Sequence, residues 1–330
     1  MSRPGAQLSD NGRCLFRVWA PEKKAVTLHL VKPEVRQLPM KQDADGYFTV
    51  EAANILPGTS YFFRPGTRQN LPDPASHFQP EGVHGPSEIV DHKRYAWTDK
   101  NWRGLPFKDL ILYELHVGTF TPEGTFEAII PRLPELAETG INALELMPVS
   151  PFPGSRNWGY DGVFPYAVQE SYGGPDGLKA LVNACHNYGI AVFLDVVYNH
   201  LGPEGNYFGK FGPYFTNKYK TPWGEALNFD GEWSDGVREY FVENALHWFE
   251  NYHLDGLRLD AIHAVIDCGA VPVWQLMSGR VQELSEKLGR PLHLVAESDL
   301  NSPRVVKNTE AGGMGFEAQW LDDFHHALYV

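Results

Sequence analysis

Three apolar stretches of this chain end in charge. Residues 192–200 read Val-Phe-Leu-Asp-Val-Val-Tyr-Asn-His, residues 256–263 read Gly-Leu-Arg-Leu-Asp-Ala-Ile-His, and residues 292–297 read Leu-His-Leu-Val-Ala-Glu. An apolar core does not tolerate a carboxylate unless it is paired or used, so Asp195, Asp260 and Glu297 are candidates for chemistry. Arg258 and Asp260 stand two apart in a predicted strand and share a face, while Leu257 and Leu259 take the other. A guanidinium beside a carboxylate keeps it ionised. An ionised carboxylate at a strand tip is a candidate nucleophile for an anomeric carbon. Glu297, ending the next strand, can protonate a leaving oxygen and later activate water. Three strand-end carboxylates on one rim are the parts of a glycoside-cleaving site.

Other residues gather around these. Asn199 and His200 follow Asp195, and His263 lies three past Asp260, where it can bond a sugar hydroxyl. Trp158 and Tyr160, in Asn157-Trp158-Gly159-Tyr160-Asp161-Gly162, can stack on a sugar ring. Taken singly, each residue has a plainer reading. Arg258–Asp260 can be a structural ion pair, Glu297 a helix cap, the 195–200 set turn chemistry, and the aromatics and His263 packing. Their recurrence together, in order and at strand ends, favours a site. The sequence has no Gly-x-Ser-x-Gly elbow, no phosphate loop ending in Lys-Ser or Lys-Thr, and no His-Glu-x-x-His. Gly173-Gly174-Pro175 reads as a plain turn.

The elements that must position these residues alternate. Strands are predicted at 110–116, 142–147, 190–197, 254–259, 291–296 and 316–321, with helices at 125–139, 177–188, 234–252 and 273–288. Ser234 is the expected cap of the third helix, which carries Val237, Phe241, Ala245 and Trp248 on one face. In the fourth helix Leu276, Leu284 and Leu288 are in phase. Alternating helices and near-continuous apolar strands predict a parallel sheet, and in a (β/α) barrel the strand C-termini carry the active site. Residues 1–92 read instead as short strands with Gly and Pro punctuation, a small immunoglobulin-like β-sandwich, with the Pro-, Gly- and His-rich stretch 71–86 as an ordered linker. The remainder, 93–330, is the barrel. It carries a long Gly-, Pro- and aromatic-rich insertion at 201–233, of the kind that forms lids or small subdomains.

Bulk properties narrow the partners. A formal net charge of −13 argues against nucleic acid and anionic membrane but is indifferent to neutral sugars. No apolar run is long enough to span a bilayer. Cys14, Cys185 and Cys268 are too few and too widely spaced for a disulfide framework or a zinc site. With no apolar leader after Met1, a reducing cytoplasmic address is expected. No metal site or cofactor is expected, and oligomeric state is not legible.

The motifs at 195–200, 256–263 and 296–297 resemble those after the third, fourth and fifth strands of the α-amylase superfamily. Residues 72–87 (Pro-Asp-Pro-Ala-Ser-His-Phe-Gln-Pro-Glu-Gly-Val-His-Gly-Pro-Ser), 219–231 and 319–326 (Gln-Trp-Leu-Asp-Asp-Phe-His-His) resemble, within it, the malto-oligosyltrehalose trehalohydrolases. The resemblance implies endo-hydrolysis of the α-1,4 bond beside a terminal trehalose, with retention and without a cofactor. It implies Asp260 as nucleophile, Glu297 as acid/base and Arg258 as the group that orients Asp260. Asp195, His200, His263 and Asp323 would contact the substrate or hold local geometry, and Tyr160 and Trp158 would stack on it. The family's third carboxylate lies in a His-Asp motif after the seventh strand, which a sequence ending at Val330 does not reach. The expectation is therefore a (β/α)8-type TIM barrel that stops after about six strands. Two other readings stay open: a glucan branching enzyme, which transfers the glycosyl group to a glucan hydroxyl, and a non-catalytic glucan-binding fragment.

Overall fold

The computed structural model describes residues 3–66 and 69–329. Met1 and Ser2, on which the reading of the amino terminus partly rests, and Val330 lie outside the described residues. The punctuated first third folds into two four-stranded antiparallel sheets. One runs Gly5–Leu8, Cys14–Trp19, Tyr47–Ala52, Lys41–Gln42; the other runs Arg36–Pro39, Val26–Lys32, Ser60–Pro65, Ser87–Glu88. Phe16 of the first meets Tyr61 of the second edge-on, with ring centroids 5.1 Å apart. Residues 71–86 are ordered, but they are not a linker between units: they run between Ser60–Pro65 and Ser87–Glu88, two strands of the second sheet. Buried Asp73 accepts from the Tyr61 hydroxyl at 2.8 Å, and the Pro74 carbonyl accepts from the Tyr240 hydroxyl at 2.7 Å.

Six parallel strands follow: β1 (Leu112–Leu115), β2 (Ala143–Leu146), β3 (Ala191–Val196), β4 (Gly256–Leu259), β5 (His293–Glu297) and β6 (Ala318–Trp320). Each is bonded to its sequence neighbours, in order. The helices between them are α1 (Leu133–Glu138), α2 (Gly174–Asn187), α3 (Ser234–Tyr252) and α4 (Val273–Leu288). This is the first part of a (β/α)8 circuit, ending after six strands, as the sequence predicts.

Strand alternation sorts the side chains. Leu144, Leu146, Val192, Leu194, Leu257, Leu259 and Leu294 pack in the main core with residues of α2, α3 and α4. Each such leucine contributes roughly 1.5–3 kcal/mol on leaving water. Ala143, Ala191, Phe193 and Val295 form a separate cluster with Trp102, Leu105 and Phe107. That second set shares its face with Glu145, Asp195, Arg258 and Glu297. The inner face is thus apolar toward the strand N-termini and charged toward the C-termini. Gly256 makes this packing possible, because a Cβ there would lie 2.0 Å from the Phe193 ring.

Several local expectations need correction. The helix predicted at 125–139 is broken into Phe126–Ile129, a tight turn Ile130–Arg132, and α1. Pro131 and Pro134 lack the amide that a continuous helix needs. Helix α2 begins at Gly174, so the Gly-Gly-Pro stretch leads into a helix rather than forming a separate turn. Ser234 does not cap α3. It is the first helical residue, and Trp233 before it sits in the left-handed region at φ 63°. The buried face of α4 is Val273, Trp274, Met277, Val281 and Leu284, while Leu288 is exposed. The insertion after β3 holds a short helix, Phe208–Phe211, and an antiparallel hairpin of Phe215–Thr221 with Gly224–Leu227. Among the described residues no helix is long and apolar enough to cross a membrane.

Candidate active site

The charged layer of the inner face is one connected cluster. Arg258 Nη1 donates to Asp195 Oδ2 at 2.8 Å and to Asp260 Oδ1 at 2.7 Å, and Nη2 lies 3.9 Å from Glu297 Oε2. A single guanidinium therefore faces all three strand-end carboxylates. The parallel register explains this. Asp195 is directly beside Arg258 between β3 and β4, and Leu259 is beside Ala296 between β4 and β5. The next residues along are Asp260 and Glu297.

Asp260 is held from two sides. Asn199 Nδ2 donates to its Oδ2 at 2.8 Å and to its backbone carbonyl at 2.9 Å. Glu297 is fixed by the Ala261 amide, 2.6 Å from its Oε2. Ala261 reaches it in the left-handed region, at φ 43°, an unfavourable state for a residue with a Cβ and one that gathers at functional sites. Asp260 and Glu297 remain partly accessible, whereas Asp195 is 1% exposed.

Electrostatics separates these groups. Burial pushes the Asp195 carboxyl up to about 7, with Arg258 pulling the other way. Burial disfavours the Arg258 cation, but Asp195 and Asp260 outweigh it and hold the guanidinium charged. Burial lowers His200 from its ordinary value, against the Tyr160 carbonyl and the Asp260 charge, which pull the other way. Its Nε2 lies 2.8 Å from the Tyr160 carbonyl, its Nδ1 faces the Asn199 side-chain oxygen, and its ring stacks on Trp223 with centroids 4.6 Å apart. The Tyr160 hydroxyl donates to Asp195 Oδ2 at 2.8 Å.

The remaining predicted residues lie further out. Trp158 is 61% exposed and packs on His116, ring to ring at 4.8 Å. His263 is exposed, with Nδ1 3.6 Å from Asp299 Oδ1. Asp323 lies on Asp322–Tyr329, a helix with no buried residue, and its carboxylate accepts from the Phe324 amide at 3.0 Å. No hydrogen bond joins His263 or Asp323 to the Arg258 cluster.

Four residues at the cluster escaped the sequence analysis as site members: Asn199, Trp223, Trp320 and Glu145. Taken singly, Asn199 reads as turn chemistry, and it entered only as part of the 195–200 motif, with no role assigned; it grips Asp260. Trp320, at the end of β6, has the Arg258 guanidinium 5.9 Å from its ring centroid. Glu145 is fully buried on β2, and both its oxygens lack a hydrogen-bond partner among the described residues. Burial, then the Asp195 charge, push it up to about 8. A charge inside the strand Ala-Leu-Glu-Leu was the available signal. Asp195 Oδ1 and Arg258 Nε are likewise unpartnered among the described residues.

Residues 83–223 match the family model described as the alpha amylase catalytic domain. The malto-oligosyltrehalose trehalohydrolase of Saccharolobus solfataricus is 47% identical over 99% of this chain and 56% of its own length. That of Arthrobacter ramosus is 46% identical over 96% of this chain and 55% of its own. A crystal structure from Salmonella typhimurium, described as a candidate alpha amylase, superposes with a TM-score of 0.91 at 41% identity. It covers all of this chain, which covers 56% of it. A pullulanase from Anoxybacillus, crystallised with maltotetraose, shares the fold at 23% identity, TM-score 0.76, over 89% of this chain and 49% of its own. The chain spans about half the length of the curated relatives it matches.

Proposed function

The chain is a member of the α-amylase superfamily and a homologue of its malto-oligosyltrehalose trehalohydrolases, and on that premise we propose that it carries the reacting carboxylates of a trehalose-releasing, retaining glycoside hydrolase. The substrate is a malto-oligosyltrehalose, cleaved at the α-1,4 bond beside its terminal trehalose. The observation that carries the reading is the placement of Asp260 and Glu297 around one guanidinium, with Glu297 fixed by the amide of the residue after Asp260.

In this reading Asp260 attacks the anomeric carbon of the malto-oligosyl unit. The bond to the trehalose oxygen breaks, and Glu297 gives that oxygen its proton. A covalent glycosyl-enzyme and free trehalose result. Glu297, now ionised, takes a proton from water, the water attacks the same carbon, and Asp260 leaves as a carboxylate. Arg258 and Asn199 hold Asp260 in line. Tyr160, Trp158, His200, His263, Asp195 and Asp323 form or support the sugar subsites. Residues 1–92 are then a β-sandwich beside a catalytic unit, 93–330, with 201–233 as its inserted subdomain. The three unpaired cysteines fit the expected cytoplasmic address.

The test is incubation of the purified chain with maltotriosyltrehalose, with Asp260→Asn alongside. Free trehalose from the parent, and at least ~10⁴-fold less from the variant, supports the reading. Folded chain that binds maltodextrin without releasing trehalose replaces it with the binding-fragment reading. The branching reading has its own support in a branching enzyme of Pseudoalteromonas atlantica, 27% identical over 94% of this chain and 48% of its own length. New α-1,6 linkages from a plain α-1,4-glucan would establish it instead.

A further inference from the structure

The first third of the chain meets the barrel in a feature that glycoside cleavage does not use. His77, from the stretch 71–86, and His92, just after the strand Ser87–Glu88, converge on His247 of α3. One ligand-capable nitrogen from each lies within 4.8 Å of the others. The ring centroids are 4.5 Å apart for His77–His247, 5.0 Å for His77–His92 and 5.3 Å for His92–His247. We propose that these three imidazoles form a binding site for a divalent transition ion of the zinc class, one that staples the segments carrying His77 and His92 to the barrel helix α3.

The geometry supports this in four ways. First, three points at that separation have a centre within about 2.8 Å of each, and ring shifts below ~1 Å bring this to the zinc–imidazole distance of about 2.1 Å. Second, the tautomer of His247 is fixed: its Nε2 donates to the Tyr166 carbonyl at 3.1 Å, which leaves Nδ1 as the lone-pair nitrogen. That atom now accepts from the Asn251 amide at 2.9 Å, a partner on the same helix that an ion would displace. Third, His92 and His77 share one hydrogen bond at 3.1 Å, while His92 Nδ1 is buried with no partner among the described residues. The Tyr252 hydroxyl is also buried and unpartnered, and its ring lies 5.4 Å from His92 and 5.5 Å from His247. These spare polar atoms are the partners that an ion and its bound water would satisfy. Fourth, His77 and His92 are only half-buried, which leaves a route in from solvent.

Burial drives His77 down to about 3 and His92 and His247 well below their ordinary value, with further lowering from neighbouring cations or histidines. The cations facing the cluster are Arg3 and Lys179. Arg3 is committed to Glu243 and Glu250. Burial lowers Lys179 from its ordinary value, with Asp176 and Asp91 pulling the other way.

The site is tested on untagged, chelator-treated protein by titration with Co²⁺, followed by competition with Zn²⁺. A tetrahedral Co²⁺ absorption band saturating at one equivalent is expected, bleached by Zn²⁺. Zn²⁺ should also raise the melting temperature. His92→Gln and His77→Gln, both at half-buried positions, should weaken binding at least tenfold and abolish the thermal shift, with unchanged circular dichroism. His247→Gln should do the same, but its burial makes it the riskier variant. No saturable binding, or binding undiminished in both half-buried variants, overturns the proposal. Because no readout depends on trehalose release, it stands or falls separately from the hydrolase reading.

Discussion

Two buried aspartates, each 1% exposed, mark opposite ends of the strands. Asp255, at the N-terminal end of β4, is saturated. Its Oδ1 accepts from Trp102 Nε1 at 2.7 Å and Arg290 Nη1 at 3.0 Å, and its Oδ2 from the Val192 amide at 2.8 Å and His186 Nε2 at 2.9 Å. Asp195, near the C-terminal end of β3, has two donors on Oδ2 and none on Oδ1 among the described residues. The same residue type at equal burial serves stability where its partners are complete and is open to a ligand where they are not. Barrels divide their labour this way, with stability at the N-terminal face and chemistry at the C-terminal face.

The contrast can be broken by substitution. The largest effect is expected at the open end. Glu297→Gln should lower turnover of the natural substrate by roughly 10²–10⁴-fold and leave the melting temperature nearly unchanged. With an activated leaving group the loss should shrink, since no proton is then needed. Equal losses on both substrates would make Glu297 a structural residue. At the closed end Asp255→Asn should do the reverse. It strands the His186 and Arg290 donors and should cost about 3–5 kcal/mol in urea unfolding, with maltodextrin affinity of the folded fraction kept. A variant with wild-type stability would show that the saturated network is ornamental.

Glu145 sharpens the comparison by pH. Its carboxyl is raised by burial to about 8, so its contribution to stability is whole below its ordinary value of about 4.5 and is lost as pH rises through 8. Glu145→Gln cannot ionise. Its stability relative to the parent should therefore grow across that window, by up to roughly 4 kcal/mol at pH 9. A difference that does not change between pH 5 and 9 would mean that Glu145 ionises without penalty.

The open end was legible and the closed end was not. Asp195, Arg258, Asp260 and Glu297 stand out because each interrupts an apolar run, and the two-residue spacing of Arg258 and Asp260 fixes a shared face. Asp255 falls inside the predicted strand 254–259 and was not singled out there, and its partners come from elsewhere in the chain. Helix faces were legible where large residues repeat, as in Val237, Phe241, Ala245 and Trp248. They misled in α4, where Leu288 keeps phase but falls on the last, exposed turn. The Ser234 cap failed because a good capping residue says nothing about the backbone of the residue before it. Asn199 was hidden by its type: an amide after a strand reads as turn chemistry until the Asp260 oxygens are seen within its reach.

The Asp255 network also bears on the order in which the chain folds. Its four hydrogen bonds join Asp255 to residues 153, 69, 63 and 35 positions away. Closing loops of that size costs entropy before any contact returns it, and contacts of long sequence separation form slowly. The βα units can each form locally as they leave the ribosome, but this network cannot be complete until Arg290 has emerged. This four-bonded carboxylate is therefore among the last to find its partners. Until then the strand N-termini it will join lack the bridge it supplies.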